Sequence, residues 1–161
     1  MLNSYFLTSV EIEHFNQMAT ALEPYIPEFQ ARWNLESDWE TSKARVLGLI
    51  SNRWVFRKNQ ILKNFEIKST HKITLESDQS MGTVGINSII ISKDMPGVMN
   101  PGNWMGSYFD GIPITVYALP EEGYHFIEWE TTADIDHQAQ ELVIIPDEDI
   151  ELIAIFEKYH E

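Results

Sequence analysis

Cysteine is absent from the 161-residue sequence. This absence excludes disulfide scaffolds, zinc ribbons, iron–sulfur clusters and cysteine nucleophiles. Basic residues are also scarce, since 11 Lys and Arg stand against 25 Asp and Glu and the formal net charge at pH 7 is −14. A surface this acidic repels phosphate backbones and anionic lipid heads, so we expect neither nucleic acid nor a membrane surface as a partner.

Long hydrophobic runs are missing too. No window approaches the run of about 20 apolar residues that a membrane-spanning helix needs, so we expect no membrane insertion. Residues 1–7 have no basic region followed by a sustained apolar stretch, so no signal peptide is predicted within this segment. Apolar residues nevertheless make up 43% of the chain, which is typical of a folded soluble protein with a core.

Motifs of the common catalytic sites do not occur, since there is no GxSxG, Walker A, GxGxxG or kinase catalytic-loop pattern. The histidines show no metal-ligand spacing, so neither a metal site nor a cofactor is predicted. Asp134 and Asp136 are weak metal candidates, because loop carboxylates two residues apart can share a hard cation. A hydrolase that uses an unrecognised carboxylate pair stays an alternative, although no motif singles out two of the acidic residues.

The chain changes character near Glu66. Residues 1–66 carry seven Lys and Arg against eight Asp and Glu, whereas residues 67–161 carry four against 17. The hydrophobic period changes at the same point from that of helices to that of strands. The pattern predicts an α+β protein with a helical subdomain of three to four helices at 1–66. A small, acidic, antiparallel β module, grasp-like or sandwich-like, is predicted at 67–161.

Capping signals and apolar spacing place the helices. Thr8–Glu11 and Ser37–Glu40 fit capping boxes, in which two side chains satisfy free amide groups at a helix start. Pro24 is expected to end the first helix, and a short helix is expected to follow as far as Trp33. The third helix reaches about Phe65, and weak helix formers leave open a break near residue 52.

The last of these helices is predicted to carry a basic face. Arg53, Arg57, Lys58 and Lys63 form this face. Faces of this kind are more often solvated than they are binding sites, so no partner is assigned to it.

Six segments of the second half are predicted as strands, because they alternate in polarity or are rich in β-branched residues. The segment Asp94–Gly106 lies between two of them and is predicted to be a long irregular loop, since it is rich in proline, glycine and asparagine. Long loops often carry function. The six segments are Lys72–Glu76, Thr83–Ser92, Ile112–Leu119, Gly123–Glu130, Leu142–Ile145 and Ile150–Phe156.

Aromatic residues are dense in the β half, and flat aromatic rings can stack on sugar rings. The 94–111 segment is expected to expose Trp104 and Tyr108, with the Asp110 carboxylate beside them to hold hydroxyl groups. These three residues are the ligand-binding candidates of an alternative function, a carbohydrate-binding module. The competing interpretation is that a small β module needs its large side chains to fill the core.

Several stretches of the helical half carry a family resemblance. They are Thr8–Val10, Leu22–Pro24, Pro27–Trp33, Trp39–Glu40, Asn52–Arg53, Arg57–Ile61 and Asn64–Phe65. Their order resembles the C-terminal helical tail of the CotH kinase-like family, which is named after a spore coat protein. Trp54 stands where the family pattern leads us to expect a proline.

The β half resembles a second family over residues 82–157. Gly82–Ile89 is similar to the opening strand of that family, and Trp104–Ile114 is similar to its central signature. The pattern from Ala118 to Trp129 is similar to the internalin B-repeat type of module, which is grasp-like. Such a module often follows a CotH-like domain in cell-surface proteins of gut Bacteroidetes.

Together the two resemblances imply a non-catalytic C-terminal segment of a secreted or cell-surface CotH-like protein. The segment would act as a structural spacer and protein-interaction module. The longer parent resembles an atypical protein kinase, but the family's nucleotide-binding lysine and metal-binding aspartates match no position here. The implied partners are the upstream kinase-like lobe, another surface protein or a glycan, and the helical subdomain is a candidate for self-association. This interpretation predicts an apolar patch on residues 8–65, where the upstream lobe would dock.

Overall fold

The computed structural model describes residues 3–34 and 38–159, with the helices first and the strands after them. The helices are α1 (Thr8–Leu22), α2 (Ile26–Trp33) and α3 (Trp39–Asn64), and a 3-10 turn at Glu23–Tyr25 lies between α1 and α2. The strands are β1 (Thr70–Ser77), β2 (Gly82–Ile86), β3 (Ile89–Ile90), β4 (Asn103–Phe109), β5 (Ile114–Pro120), β6 (Tyr124–Glu130), β7 (Glu141–Ile144) and β8 (Ile150–Lys158).

The helices form two runs, at 8–33 and 39–64, and not the three to four separate helices that were predicted. The first run is unbroken because α1, the 3-10 turn and α2 follow one another directly. Pro24 and Pro27 each lie in the first turn of their element, where a backbone N–H has no helical partner to lose. Asn34 ends this run in the left-handed conformation, with φ of 49°.

The predicted capping boxes are not where the structure places the caps. The cap before α1 is Leu7, whose side chain makes no capping hydrogen bond, so the box at Thr8 is wrong. Ser37 lies outside the described residues. The cap before α3 is Asp38, whose carboxylate accepts hydrogen bonds from the Thr41 backbone N–H at 2.8 Å and from the Thr41 hydroxyl at 2.7 Å.

No break occurs in α3, which continues past residue 52. The two weak helix formers there are held by bonds along the helix itself. The Ser51 hydroxyl donates to the Leu47 carbonyl at 2.8 Å, and the Asn52 amide donates to the Gly48 carbonyl at 2.9 Å. Both side chains therefore donate to the preceding turn of the helix, at the point where a break was expected.

The cap at Asp38 makes the start of α3 sensitive to acid. The Thr41 hydroxyl and then the Thr41 N–H hold the pKa of Asp38 below its ordinary value, because both donate to the charged carboxylate. The cap therefore stabilises the helix above about pH 4 and is lost as the pH falls through the lowered pKa. We expect about one turn of α3 to fray on acidification, seen as a loss of helical circular dichroism.

Asp38→Asn is the matched control, since asparagine also caps but carries no titrating charge. The difference between the circular dichroism of the wild type and that of this variant should be constant above the ordinary aspartate pKa and should change below it. If the two proteins lose helix in parallel over the whole acid range, the Asp38 cap does not cause the loss.

The strands form two four-stranded sheets. The first sheet has the order β4-β1-β8-β6 and the second has the order β3-β2-β5-β7. All pairs are antiparallel except β1 with β8, which are parallel, so the first sheet is mixed and the prediction of a purely antiparallel module is corrected. Buried residues of both sheets belong to one hydrophobic cluster, which gives the module a sandwich-like core.

Two features of the sheets are not visible in the local sequence pattern. Strand β4 occupies the end of the segment that was predicted to be a loop. In β6 a bulge at Ile127 shifts the register, so that Phe126 lies opposite Phe156 and Trp129 lies opposite Ala154. The extra residue brings Phe126 and Trp129 onto the same buried face, whereas strict alternation places residues three positions apart on opposite faces.

Candidate functional site

Trp104 is not the exposed aromatic residue that the sequence predicted. It lies in β4 with 5% of its surface exposed and belongs to the hydrophobic core. Its ring covers Gly106, where a Cβ atom would collide with it. The expectation of a sugar-stacking face on Trp104 is therefore wrong, because alternation along β4 turns this side chain inward.

Tyr108 lies on the same inner face of β4 but nearer to the surface. Burial raises the pKa of Tyr108 above its ordinary value, and a hydrogen bond with the Asn3 side chain offsets part of this increase. The Asn3 side-chain amide also makes two hydrogen bonds with the backbone of Ser107. Its nitrogen donates to the Ser107 carbonyl at 2.8 Å, and its oxygen accepts from the Ser107 N–H at 3.0 Å. Tyr108 borders a cavity of about 270 Å³ that Trp104 and Asp110 do not line.

Asp110 follows the end of β4 and contacts a different group. Its carboxylate lies 2.9 Å from Nε2 of His71, and its backbone N–H donates to the Ser69 carbonyl at 3.1 Å. The three predicted ligand-binding residues are therefore not brought together. The carbohydrate-binding alternative keeps Tyr108 and its cavity, and it loses Trp104.

The two weak metal candidates lie in the loop between β6 and β7. Asp134 and Asp136 are both exposed, and Asp136 accepts a hydrogen bond from the Gln138 N–H at 3.2 Å within its own turn. Within residues 3–34 and 38–159, no three His, Asp or Glu side chains lie close enough together to hold a metal ion. The loop instead covers the edge of β6, where the backbone N–H of Trp129 donates to the His137 carbonyl at 2.8 Å.

The helical half carries most of the exposed large apolar side chains of the described residues. Five large side chains along the first helical run recur at intervals of three or four residues, so they share one face. Each is more than half exposed. We call this face the α1–α2 stripe, and it consists of Met18, Leu22, Tyr25, Phe29 and Trp33. An exposed apolar patch was predicted for residues 8–65, and the stripe agrees with that prediction.

The two helical runs pack on each other through α1 and α3. Arg57 on α3 forms an ion pair with Glu11 on α1 at 2.9 Å, and its guanidinium lies 4.6 Å from the centre of the Phe6 ring. Only Val10 and Ala19 are buried among the described helical residues, and α3 buries none. A pair of helical runs has no second layer to cover its outer sides, which is why so much apolar surface remains open.

The predicted basic face of α3 is divided by this packing. Arg57 points to α1, and the Lys58 ammonium reaches the Thr70 hydroxyl at 3.2 Å. Arg53 and Lys63 are exposed. The sequence period identified the helix but not which basic residues face α1, because that depends on how the two helical runs meet.

A comparison with known families finds one match. Residues 89–160 match the model of the divergent InlB B-repeat domain. No curated protein and no solved structure matches the chain. The matched region covers strands β3 to β8 and less than half of the sequence, and no family is matched to the helices.

This similarity concerns residues 89–160 and is informative about them at a coarse level. A B-repeat-like domain is a module of surface proteins and is non-catalytic in general. The predicted resemblance of the β half to an internalin B-repeat is confirmed for the matched residues. Among the described helices, none combines the length and the apolar character needed to cross a membrane.

Proposed function

We propose that the chain is a non-catalytic C-terminal segment of a secreted or cell-surface protein that resembles the CotH family. In this proposal residues 1–66 complete an upstream kinase-like lobe, and residues 67–161 form the spacer and interaction module. The upstream lobe is the partner that covers the α1–α2 stripe. The observation that carries the proposal is the exposure of that stripe.

The stripe is a costly surface for a protein to leave in water. Soluble monomers rarely expose a contiguous apolar patch of several large side chains unless it is an interaction site. Fully burying one such side chain contributes about 1.5–3 kcal/mol. Tyr25 and Trp33 also carry polar atoms, which suits them to an interface with a wet rim.

Contacts between the helical half and the β module support a spacer role. The Ser4 hydroxyl donates to the Pro96 carbonyl at 2.7 Å, and the Asn3 amide bonds the Ser107 backbone at both ends. Leu7 packs against Gly97, whose φ of +83° suits glycine. These contacts fix the start of α1 on the β module, so a lobe docked on the stripe would be held at a defined orientation.

The test compares this chain with a longer protein that includes the upstream coding sequence. Oxidative footprinting measures how accessible Tyr25, Phe29 and Trp33 are in each. We expect oxidation of these three side chains to fall at least about fivefold in the longer protein, because the lobe covers them. An in-frame stop directly upstream, or equal oxidation in both proteins, would contradict the proposal.

A paired variant separates docking from folding. Phe29→Ser with Trp33→Ser should leave the stability of this chain nearly unchanged, because both side chains are already exposed. The same pair should lower the free energy of unfolding of the longer protein. Glu28→Ser, an exposed change in the same helix, is the control and should affect neither protein.

A further inference from the structure

Helix α3 has a charge opposite to that of the protein around it. Residues 41–65 contain six basic residues and no acidic residue, although the whole chain has a net charge of −14. More than half of the Lys and Arg residues are therefore concentrated in this helix. They are Lys43, Arg45, Arg53, Arg57, Lys58 and Lys63.

Three of these six cations are used within the chain. Lys43 pairs with Glu40 at 2.8 Å, Arg57 pairs with Glu11 at 2.9 Å, and Lys58 donates to Thr70. The other three, which are Arg45, Arg53 and Lys63, are exposed and have no acidic partner among the described residues.

The three unpaired cations share one side of α3 with two apolar side chains. Leu49 and Phe56 are seven residues apart, which places them on one side of the helix, and each is 66% exposed. Arg45 and Arg53 lie one turn before and after Leu49, and Lys63 lies two turns after Phe56. We call this the outer face of α3. It points away from the side that packs on α1.

A surface of complementary character lies on the first sheet. Ile153 of β8 lies between Glu76 of β1 and Glu130 of β6. Ile155, also in β8, lies opposite Glu128 of β6. The neighbouring Leu152 and Ala154 are buried, so these residues point outward. We call this the acidic sheet face, and it consists of Glu76, Glu128, Glu130, Glu151, Ile153 and Ile155. One cation, Lys72, lies on the same side near the start of β1.

We propose that two copies of this chain associate by docking the outer face of α3 of one copy on the acidic sheet face of the next. Each face has two apolar side chains within a set of charges, and the charges have opposite sign. Leu49 and Phe56 remain two-thirds exposed within one copy, so the copy's own sheet does not cover them.

The contact is heterologous, because it joins two different surfaces. In a pair of copies, one helix face and one sheet face stay free, so the association is open-ended unless its rotation closes a ring. It uses neither the α1–α2 stripe nor an upstream lobe, so it does not depend on the proposed function. Because its specificity comes from exposed charges, it weakens as salt rises.

The test is sedimentation equilibrium of the whole chain over a range of concentrations. Association should be at least about tenfold weaker at about 500 mM salt than at about 50 mM. Arg45→Glu with Arg53→Glu makes the helix face acidic, and Glu130→Lys with Glu151→Lys makes the sheet face basic. Each double variant alone should lose association, because its two faces then have the same sign.

An equimolar mixture of the two double variants should associate again. In the mixture the unaltered helix face meets the unaltered sheet face, and the two reversed faces also complement each other. Circular dichroism confirms that each variant is folded. The matched controls reverse the same number of exposed charges elsewhere and should associate like the wild type. They are Lys68→Glu with Lys93→Glu, and Glu121→Lys with Glu122→Lys.

Four outcomes would overturn the proposal. The wild type could be monomeric at every concentration, or the mixture could fail to associate. Association could persist in both double variants, which would assign it to the α1–α2 stripe. Finally, the wild type could bind vesicles of phosphatidylcholine and phosphatidylglycerol without self-association, which would make the α3 face a lipid surface.

Discussion

Replacing Trp129 with alanine is expected to lower the free energy of unfolding of the β module by about 3–5 kcal/mol. The side chain has no exposed surface and its ring centre lies 5.3 Å from that of Phe126. Its indole N–H donates to the Ala139 carbonyl at 2.9 Å. The substitution therefore leaves a large cavity and also releases the loop that covers the edge of β6.

Urea denaturation followed by circular dichroism measures this effect. Glu130→Ala is the matched control, because Glu130 is the next residue of the same strand and is exposed. It should change the free energy of unfolding by less than about 0.5 kcal/mol. A loss of less than about 1 kcal/mol for Trp129→Ala would mean that the bulge at Ile127 does not turn Trp129 into the core.

Replacing Trp104 with alanine is expected to destabilise the module by a similar amount, about 3–5 kcal/mol. The ring is 5% exposed and lies against Gly106, a position without a side chain that could move into the vacated space. The cavity left by the indole would therefore stay open. The expected effect on stability separates a core role for Trp104 from the ligand-binding role that the sequence first predicted.

The neighbouring residue provides the control for this prediction. Met105 lies next to Trp104 in β4 but is 59% exposed, so Met105→Ala should change the free energy of unfolding by less than about 0.5 kcal/mol. Glycan binding would return as the function of Trp104 if Trp104→Ala kept the stability of the wild type and removed binding to a polysaccharide. Equal effects of Trp104→Ala and Met105→Ala would contradict the inward orientation.

The mistaken assignment of Trp104 has a physical cause. The segment around β4 contains proline, glycine and asparagine, which are depleted in strands. It forms a strand because it pairs with β1 along residues Thr70 to Glu76. This pairing depends on a strand that is distant in the sequence, so the local composition does not reveal it. The local composition indicated a loop, and a tryptophan in a loop was expected to be exposed.

Other parts of the structure were predicted from local pattern alone. The hydrophobic period of neighbouring residues was enough to predict three features. They are the position of the change from helix to strand, the long third helix and five of the six candidate strands. The sixth, Thr83–Ser92, is divided into β2 and β3 by a turn in which Asn87 has a φ of 52°. The exposed patch on the helices was predicted on a different ground, the family resemblance, as the surface where an upstream lobe would dock.

The sequence by itself determined the α+β class, the acidic character of the second half and its similarity to a B-repeat, since these depend on composition and on neighbouring residues. Only the tertiary structure decided which side chains meet across long separations. The parallel pairing of β1 with β8 places Ile73 beside Ile150. The backbone N–H of Lys72 donates to the Asp149 carboxylate at 2.7 Å. It also decided that Trp104 is buried while Leu49 and Phe56 are exposed. Burial depends on what packs against a face, and a local hydrophobic period specifies the face without specifying its partner.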